Sequence, residues 1–400
     1  MHLDNELLLT YGLQLNIENL GEESTPMKFV IATQELNYLI NKIQNVVPLK
    51  PTMPILTNFL LEASNDELVL SATDLTVSVR CSIEVKVIEE GATTLPAKKL
   101  SQLSRELTAP RVELSSQSND ITTLIAGTSH FKINGMNKEG YPTWPNLSHT
   151  ENFTIDQKIL KDLLFRTSFA VSREENRYVL TGILMQINDG QMILTGTDGK
   201  RLARAHAPVK NGPPLNGQAI IPLKAIEEII KNLRDEGEAK ISLMEDKIAI
   251  QIDDTILLTK LLSGEYPDLS RVIPEHVPFM LPLHREELTS LLRQVSLFLA
   301  DAQCSARFHF ENGELKLTAN TSSIGEGVVT MPVNTPSQII EIAFNPGYLL
   351  DILRHCKEET VFLGLSDAHN PGVIIDGTHA GPLNAASPLF VIMPMHLSES

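Results

Sequence analysis

The sequence ELVLSATD at residues 67–74 recurs in related form as QMILTGTD at residues 191–198 and as ELKLTAN at residues 314–320. Each copy is typical of a β-strand that ends in a turn carrying a short polar motif. The motif residues Thr73, Thr197 and Asn320 are spaced by 124 and 123 residues. This regular spacing indicates that the chain is built from three copies of one unit.

Two further landmarks support the repeat. A strand that leads into a helix through a proline region occurs three times, as LPAKKL at residues 95–100, IPLKAI at residues 221–226 and FNPGYLL at residues 344–350. The first residues of these segments are 126 and 123 residues apart, and the Tyr-Pro pair at Tyr141 returns at Tyr266 after 125 residues. This period is much longer than that of solenoid repeats, so each copy is predicted to be a domain.

The domain boundaries are predicted in polar stretches that contain proline, near residues 148 and 277. The first copy begins with the strand-like sequence MKFV at residue 27, so residues 1–26 are predicted to be a disordered N-terminal extension. The three predicted domains are residues 27–148, 149–277 and 278–400.

Each domain is predicted to contain two helices and antiparallel strands, which makes the fold class α+β. In the first helix, Leu36, Leu39, Ile40 and Ile43 form an apolar stripe on one face. The predicted helices are residues 33–47, 97–108, 156–171, 223–235, 284–300 and 345–357. Segments such as residues 111–114 and 257–261 alternate in polarity and predict strands.

The composition predicts a cytoplasmic globular protein. Charged residues make up 20% of the chain, no apolar run is long enough to span a bilayer, and the acidic first 20 residues lack the basic start of a secretory signal. The three cysteines, Cys81, Cys304 and Cys356, are far apart and odd in number, which favours buried reduced thiols over disulfides. We predict no membrane partner.

The net charge of −16 argues against nucleic acid as a ligand unless the charges are unevenly distributed. Counted over the predicted helices, with the third extended to residue 173, there are 15 Lys and Arg against 10 Asp and Glu. Helices with a net charge of +5 in an acidic chain could line a surface that holds DNA phosphates. Ordinary solvated helix faces would give a similar count.

The width of helices bears on how DNA could be held. Six helices side by side, each about 10 Å wide, would enclose a hole of about 9 Å. A B-form duplex, whose grooves are about 8.5 and 7.5 Å deep, needs more than about 16 Å. Twelve helices from two chains would leave about 28 Å. A head-to-tail homodimer of six domains would therefore suffice, with two equivalent interfaces that each join a first domain to a third.

Motifs for catalysis or metal binding are not apparent in the sequence. GTDGKR at residues 196–201 has the wrong glycine spacing for a phosphate-binding loop and is better explained as a tight Asp-Gly turn. The histidines and cysteines lack the paired spacing of a zinc site. We predict a protein that is not an enzyme and has no cofactor and no metal. An enzyme of nucleic-acid metabolism and a peptide-binding scaffold that never encircles DNA remain alternatives.

The sequence closely resembles the DNA polymerase III beta subunits, the family of bacterial sliding clamps, over nearly its whole length. The most specific matching segments are KPTMPIL at residues 50–56, TDGKRLA at residues 197–203, YPD at residues 266–268 followed by Arg271-Val272, and VIMPM at residues 391–395. The resemblance implies a homodimeric ring of six similar domains that encircles duplex DNA, slides freely and acts as a processivity factor in DNA replication.

The resemblance also implies a pocket that takes short linear peptides from partner proteins. The implied partners are the catalytic subunit of the replicative polymerase, the clamp loader, and other polymerases and repair proteins. The implied pocket residues are Leu180, Thr197, Gly199, Lys200, Leu202, Pro267, Arg271, Val272, Val391, Met393, Pro394 and Met395. Taken alone, residues 393–395 would be interpreted as core packing. Lys200 stands where the family often has His, and His396 where Arg is common.

Two further sets of residues follow from the resemblance. The DNA-facing residues would be Lys50, Lys98, Glu174, Tyr178 and Val179. The dimer interface would bring Lys99 and Phe131 of the first domain against Leu297 and Phe298 of the third. Exposed apolar residues mark interfaces, although Leu297 and Phe298 could equally be core residues of their helix.

Overall fold

The computed structural model describes residues 26–147, 150–211, 217–269, 271–300, 305–334, 338–378 and 381–396. The predicted N-terminal extension, apart from residue 26, and Cys304 lie outside these residues. The chain forms two compact units: the first extends to Trp144 without Thr76–Val79, and the second takes Thr76–Val79 and the chain from Pro145 onward. In the described part of the chain, none of the helices has the length and apolarity to cross a membrane.

The first unit carries two helices and the first nine strands, except that the start of β4 belongs to the second unit. The helices are α1 (Thr33–Ile43) and α2 (Ala97–Glu106). The strands are β1 (Met27–Ala32), β2 (Asn58–Ser64), β3 (Glu67–Thr73), β4 (Val77–Glu84), β5 (Lys86–Glu89), β6 (Gly91–Pro96), β7 (Arg111–Ser116), β8 (Ile121–Ala126) and β9 (Ser129–Asn134). One sheet has the strand order β5-β1-β7-β8-β9, and β4, β3, β2 and β6 are neighbours in another.

The predicted apolar stripe of α1 is buried, and this burial gives the helix its orientation. Leu36, Leu39, Ile40 and Ile43 are at most 1% exposed. The helix is shorter than predicted because Pro48 disfavours helical geometry at the residue before it. Val47 is accordingly extended, with ψ of 122°, and a short 3₁₀ turn at Gln44–Val46 closes the helix.

The second unit carries four helices and the remaining strands. The helices are α3 (Gln157–Ser168), α4 (Leu223–Asn232), α5 (Arg285–Ser296) and α6 (Pro346–Arg354). The strands are β10 (Glu151–Asp156), β11 (Gly182–Asn188), β12 (Gln191–Thr197), β13 (Arg201–Pro208), β14 (Gly217–Pro222), β15 (Glu238–Leu243), β16 (Lys247–Ile252), β17 (Thr255–Lys260), β18 (Phe279–His284), β19 (Ala306–Glu311), β20 (Glu314–Thr321), β21 (Gly325–Pro332), β22 (Ile340–Phe344), β23 (Thr360–Leu365), β24 (Gly372–Asp376) and β25 (Leu389–Ile392).

All six predicted helices are present, and each is shorter than predicted. Asp156, His284 and Asn345 cap helices from the outside instead of starting them. Pro96 and Pro222 precede their helices as the last residues of β6 and β14, so α2 and α4 start at the predicted residues. A cap residue belongs to the helical sequence pattern but keeps an extended backbone, so the pattern places the start of these three helices one residue too early. The rest of the difference lies at the C-terminal ends.

One sheet of the second unit crosses from the second repeat to the third. Its order is β14-β11-β12-β13-β25-β24-β23-β18, and all its pairings are antiparallel. The crossing lies where Leu202 of β13 pairs with Val391 of β25. A further sheet has the order β21-β20-β19-β22, which leaves β21 as an edge strand. The sequence near residue 200 is therefore held beside the end of the chain.

The repeated Tyr-Pro landmark has a packing role. The hydroxyl of Tyr141 donates to the carbonyl of Ser71 at 3.2 Å, and that of Tyr266 donates to the carbonyl of Thr195 at 3.5 Å. Ser71 and Thr195 are 124 residues apart and thus equivalent in the repeat. Burial raises the pKa of both phenols, because the phenolate loses its hydration. Each Tyr thus links the end of its domain, by a hydrogen bond, to the strand that carries the repeated motif.

Candidate functional site

A cavity of about 140 Å³ opens in the second unit where the crossing sheet meets the turn after Tyr266. Eight of the twelve predicted pocket residues line it: Leu180, Thr197, Gly199, Leu202, Pro267, Val272, Val391 and Met393. Its wall also contains Arg201, Asp268 and Leu269, which the sequence did not single out although they lie within the same motifs. The lining is mostly aliphatic and suits an apolar ligand.

Four predicted pocket residues are not part of the cavity lining. Lys200, Arg271 and Met395 are exposed, and Pro394 is half-buried. Arg271 is the extreme case, because its side chain is 89% exposed and extends to Asp268 at 3.7 Å. Their assignment to the peptide pocket stays a prediction.

The floor of the cavity is the tight turn between β12 and β13. The hydroxyl of Thr197 accepts from the N–H of Gly199 at 3.0 Å and donates to the carbonyl of Arg201 at 2.6 Å. The Asp198 carboxylate accepts from the N–H groups of Lys200 and Arg201 at 2.9 and 3.0 Å. Gly199 adopts φ of +82°, which residues with a Cβ rarely adopt. The Asp-Gly turn is thus stabilised by hydrogen bonds among its own residues.

The second wall is the end of β25 and the residues after it. Val391 pairs with Leu202, and the N–H of Met393 then donates to the carbonyl of Lys200 at 2.9 Å. The N–H of Met395 donates to the carbonyl of Ala343 at 2.8 Å. The last described residues are therefore held by backbone hydrogen bonds on both sides, and the Met393 side chain is presented to the cavity.

Arg201 is the cationic residue of the cavity wall, and its guanidinium makes several polar contacts. Its guanidinium contacts Asp351 at 2.6 Å, Asp198 at 3.2 Å and the carbonyl of Phe169 at 3.2 Å. It also lies 4.7 Å from the ring centroid of Tyr348. These contacts tie the turn to α3 and α6, and they neutralise the cation so that the cavity stays apolar.

We expect Arg201→Met to lower the free energy of unfolding by about 2 kcal/mol, because Asp198 and Asp351 lose their partner while partly shielded from water. Thermal and chemical unfolding would measure the change. Arg271→Met is the matched control, since that side chain is almost fully exposed and should change the free energy by less than about 0.5 kcal/mol. Equal effects of the two substitutions would contradict the role given to Arg201.

The predicted DNA-facing residues lie on both units. Lys50 and Lys98 are exposed in the first unit. Glu174 is exposed in the second unit, and Tyr178 is 56% exposed on the following 3₁₀ segment. Val179 is half-buried and packs against the cluster of Leu180, Leu184, Ile220 and Tyr266. Four of the five therefore have side chains in reach of a ligand, and Val179 serves mainly as packing.

The predicted dimer residues also divide by their exposure. Lys99 is exposed on α2, and Phe131 is half-buried on the edge strand β9. Leu297 is 75% exposed immediately after α5, so the alternative that it is a core residue is wrong. Phe298 packs instead on the third-repeat core, against the backbone of Gly327. The residues near Leu297 that the sequence missed are Ile324 and Val328, at and beside the edge strand β21.

The described residues contain no group of three or more His, Cys, Asp or Glu side chains that could hold a metal ion. Cys81 and Cys356 are buried, as predicted, and burial raises the pKa of the Cys356 thiol to about 12. The geometry of the second unit thus offers a small apolar cavity and an exposed loop beside it.

Three family models match the chain. They are the N-terminal, central and C-terminal domains of the DNA polymerase III beta subunit, over residues 27–145, 154–268 and 270–395. The beta sliding clamp of Chlamydia pneumoniae is 51% identical over 373 residues, which cover 93% of this chain and all of the relative. That of Escherichia coli K12 is 28% identical over 93% of this chain and all of the relative.

Solved structures agree with these matches. A sliding clamp from Bartonella birtlesii bound to griselimycin is 31% identical, with a TM-score of 0.86 over 93% of this chain and all of that one. A sliding clamp from Pseudomonas aeruginosa bound to griselimycin is 28% identical, with a TM-score of 0.87 over the same shares. The three-repeat architecture predicted from the landmarks is confirmed by this agreement.

Proposed function

The chain belongs to the DNA polymerase III beta subunit family, the bacterial sliding clamps, and we propose that two copies close head to tail into a ring around duplex DNA. Membership makes it a processivity factor of DNA polymerase. The ring slides along the duplex without reading its sequence and tethers the replicative polymerase to the template. It is a non-catalytic accessory subunit that works in the bacterial cytoplasm, and its domains meet near residues 148 and 277.

The dimer interface joins the first domain of one copy to the third domain of the other. On the third domain, three apolar side chains are exposed: Leu297 (75%) after α5, Ile324 (50%) just before the edge strand β21, and Val328 (47%) on that strand. On the first domain, Phe131 lies on the edge strand β9. Exposed apolar side chains beside unpaired strand edges favour association with another chain.

The charge distribution supports DNA inside the ring. The six helices contain 12 Lys and Arg against 8 Asp and Glu, whereas the whole chain has a net charge of −16. The exposed ammonium groups of Lys50 and Lys98 can pair with phosphate without a fixed geometry. Contacts of this kind bind without sequence preference and weaken with salt, which is what a sliding protein needs.

The apolar cavity is the docking site for short linear peptides. We infer that the polymerase catalytic subunit, the clamp loader and other polymerases and repair proteins use it in turn. Aliphatic side chains and the flexible Met393 form a groove that adapts to different apolar anchors. Exposed Lys200, Arg271, Met395 and His396 form the outer rim, where they can select among peptides. Griselimycin, bound by the two relatives named above, is a suitable probe of this cavity.

The observation that carries the proposal is the match of all three clamp domains along residues 27–395. The test is retention on DNA after loading with a clamp loader and ATP. We expect the protein to stay on a closed circular plasmid during gel filtration and to leave when one restriction cut makes the plasmid linear. Equal retention on the two forms would contradict encirclement and favour a scaffold that binds DNA from one side.

A further inference from the structure

We propose that Arg177 couples the DNA-facing loop to the peptide cavity, so that duplex DNA lowers the affinity of the cavity for its ligand. This inference rests on the proposed function, because it takes the exposed loop as the DNA contact and the cavity as the peptide site. It assigns to Arg177 a positioning role, since Arg177 acts on the cavity through the turn that forms its floor.

The DNA-facing loop is the segment from Ser172 to Leu180, which connects the proposed DNA contacts to the cavity. The N–H of Ser172 donates to the carbonyl of Leu180 at 2.8 Å and closes the loop. Glu174 and Tyr178, two of the proposed DNA contacts, are exposed on it, whereas Leu180 lines the cavity. A displacement of this loop by DNA would therefore reach the cavity wall within a few residues.

Arg177 makes the direct contact between the loop and the turn. Its Nη1 donates to the carbonyl of Asp198 at 2.7 Å. The same nitrogen lies 2.6 Å from the position that a Cβ on Gly199 would occupy. The backbone of Arg177 departs from helical geometry inside the 3₁₀ segment, with φ of −111° and ψ of 52°. Its side chain reaches the turn between β12 and β13. The guanidinium thus contacts the turn that forms the cavity floor.

The contact can be exchanged for a phosphate. The Arg177 side chain is 44% exposed, and its nearest carboxylate is that of Glu174 at 3.9 Å, which is a loose pair. A guanidinium binds phosphate oxygens more strongly than a neutral carbonyl, because the acceptor is charged. When Arg177 turns to a phosphate, the carbonyl of Asp198 loses this donor and the turn loosens. By linkage, a ligand in the cavity must then weaken DNA binding by the same factor.

The test is the affinity for griselimycin, measured by calorimetry with and without a saturating short duplex. For the wild-type protein, we expect the duplex to weaken binding by about fivefold, the lower end of usual coupling factors. Arg177→Ala should bind griselimycin several-fold more weakly without DNA and should not respond to the duplex. Arg177→Lys, which retains one donor, should recover part of both properties.

Arg173→Ala is the matched control, because it removes an exposed cation from the same loop, and the described contacts include none between Arg173 and the turn. We expect it to keep the full response to the duplex, with an unchanged melting temperature. A full response in Arg177→Ala, or its loss in Arg173→Ala, would overturn the coupling. If the affinity of the wild-type protein for griselimycin does not change when duplex is added, the coupling is overturned but the proposed function of the cavity is not. No griselimycin binding at all would overturn the proposed function of the cavity as well.

Discussion

Leu297→Asp should convert the dimer into a monomer of 44.2 kDa at micromolar concentration. Leu297 is 75% exposed in the free chain, and Ile324 and Val328 are also exposed at this edge. In the proposed ring these side chains are covered by the first domain of the other copy. An Asp carboxylate there would lose its hydration without gaining a partner, which is strongly unfavourable.

The ring multiplies the effect of this substitution. The two-fold symmetry places the same change in both interfaces. If each interface loses about 2 kcal/mol, the lower limit of a hot-spot residue, the closed dimer loses about 4 kcal/mol and is weakened roughly a thousandfold. Size-exclusion chromatography with light scattering measures the mass directly.

Leu49→Asp is the matched control, since Leu49 is completely exposed and lies outside the proposed interface. It should leave the mass at twice that of the chain. Leu297→Asp that still elutes as a dimer would show that the exposed patch after α5 is not the interface. Dissociation by both substitutions would indicate a general loss of structure, which circular dichroism would reveal.

The repeated fold could be predicted because its landmark residues make the same stabilising contacts in each repeat. Tyr141 and Tyr266 recur because each binds the carbonyl at the same position of a repeated strand. The stripe in α1 is predictable because burial selects apolar residues at helical spacing. The helix ends were less predictable, since Pro48 stops α1 through a local steric effect outside the stripe.

The candidate site could be predicted only to the level of its motifs. Leu202 and Val391 face the cavity from paired strands, but their neighbours Lys200 and Pro394 do not line it. Arg201 was missed because its ion pair with Asp351 bridges 150 residues, and no local pattern announces such a contact. Leu297 and Phe298 illustrate the same limit, since Leu297 is exposed and the adjacent Phe298 is half-buried, a difference that depends on where α5 ends.

Deletion of residues 393–400 should abolish stimulation of the replicative polymerase and binding of griselimycin, while the dimer persists. Met393 is the cavity residue that the deletion removes, and its backbone bond to Lys200 is lost with it. The strand β25 ends at Ile392, so all four of its pairs with β13, from Leu389 to Ile392, remain. The fold should therefore tolerate the loss, because these retained pairs hold the crossing sheet together.

Single substitutions separate the contribution of the Met393 side chain from that of the whole deleted segment. Met393→Ala should weaken griselimycin binding about tenfold, because a flexible apolar anchor of the cavity is removed. Met280→Ala is its control, as Met280 on β18 is 38% exposed like Met393 but belongs neither to the lining nor to the rim of the cavity, and it should change binding less than about twofold. Primer extension and calorimetry on the same preparations give both readouts. A deletion variant that becomes monomeric would instead assign these residues to the structure of the third domain. Equal losses from Met393→Ala and Met280→Ala would contradict the cavity as the docking site.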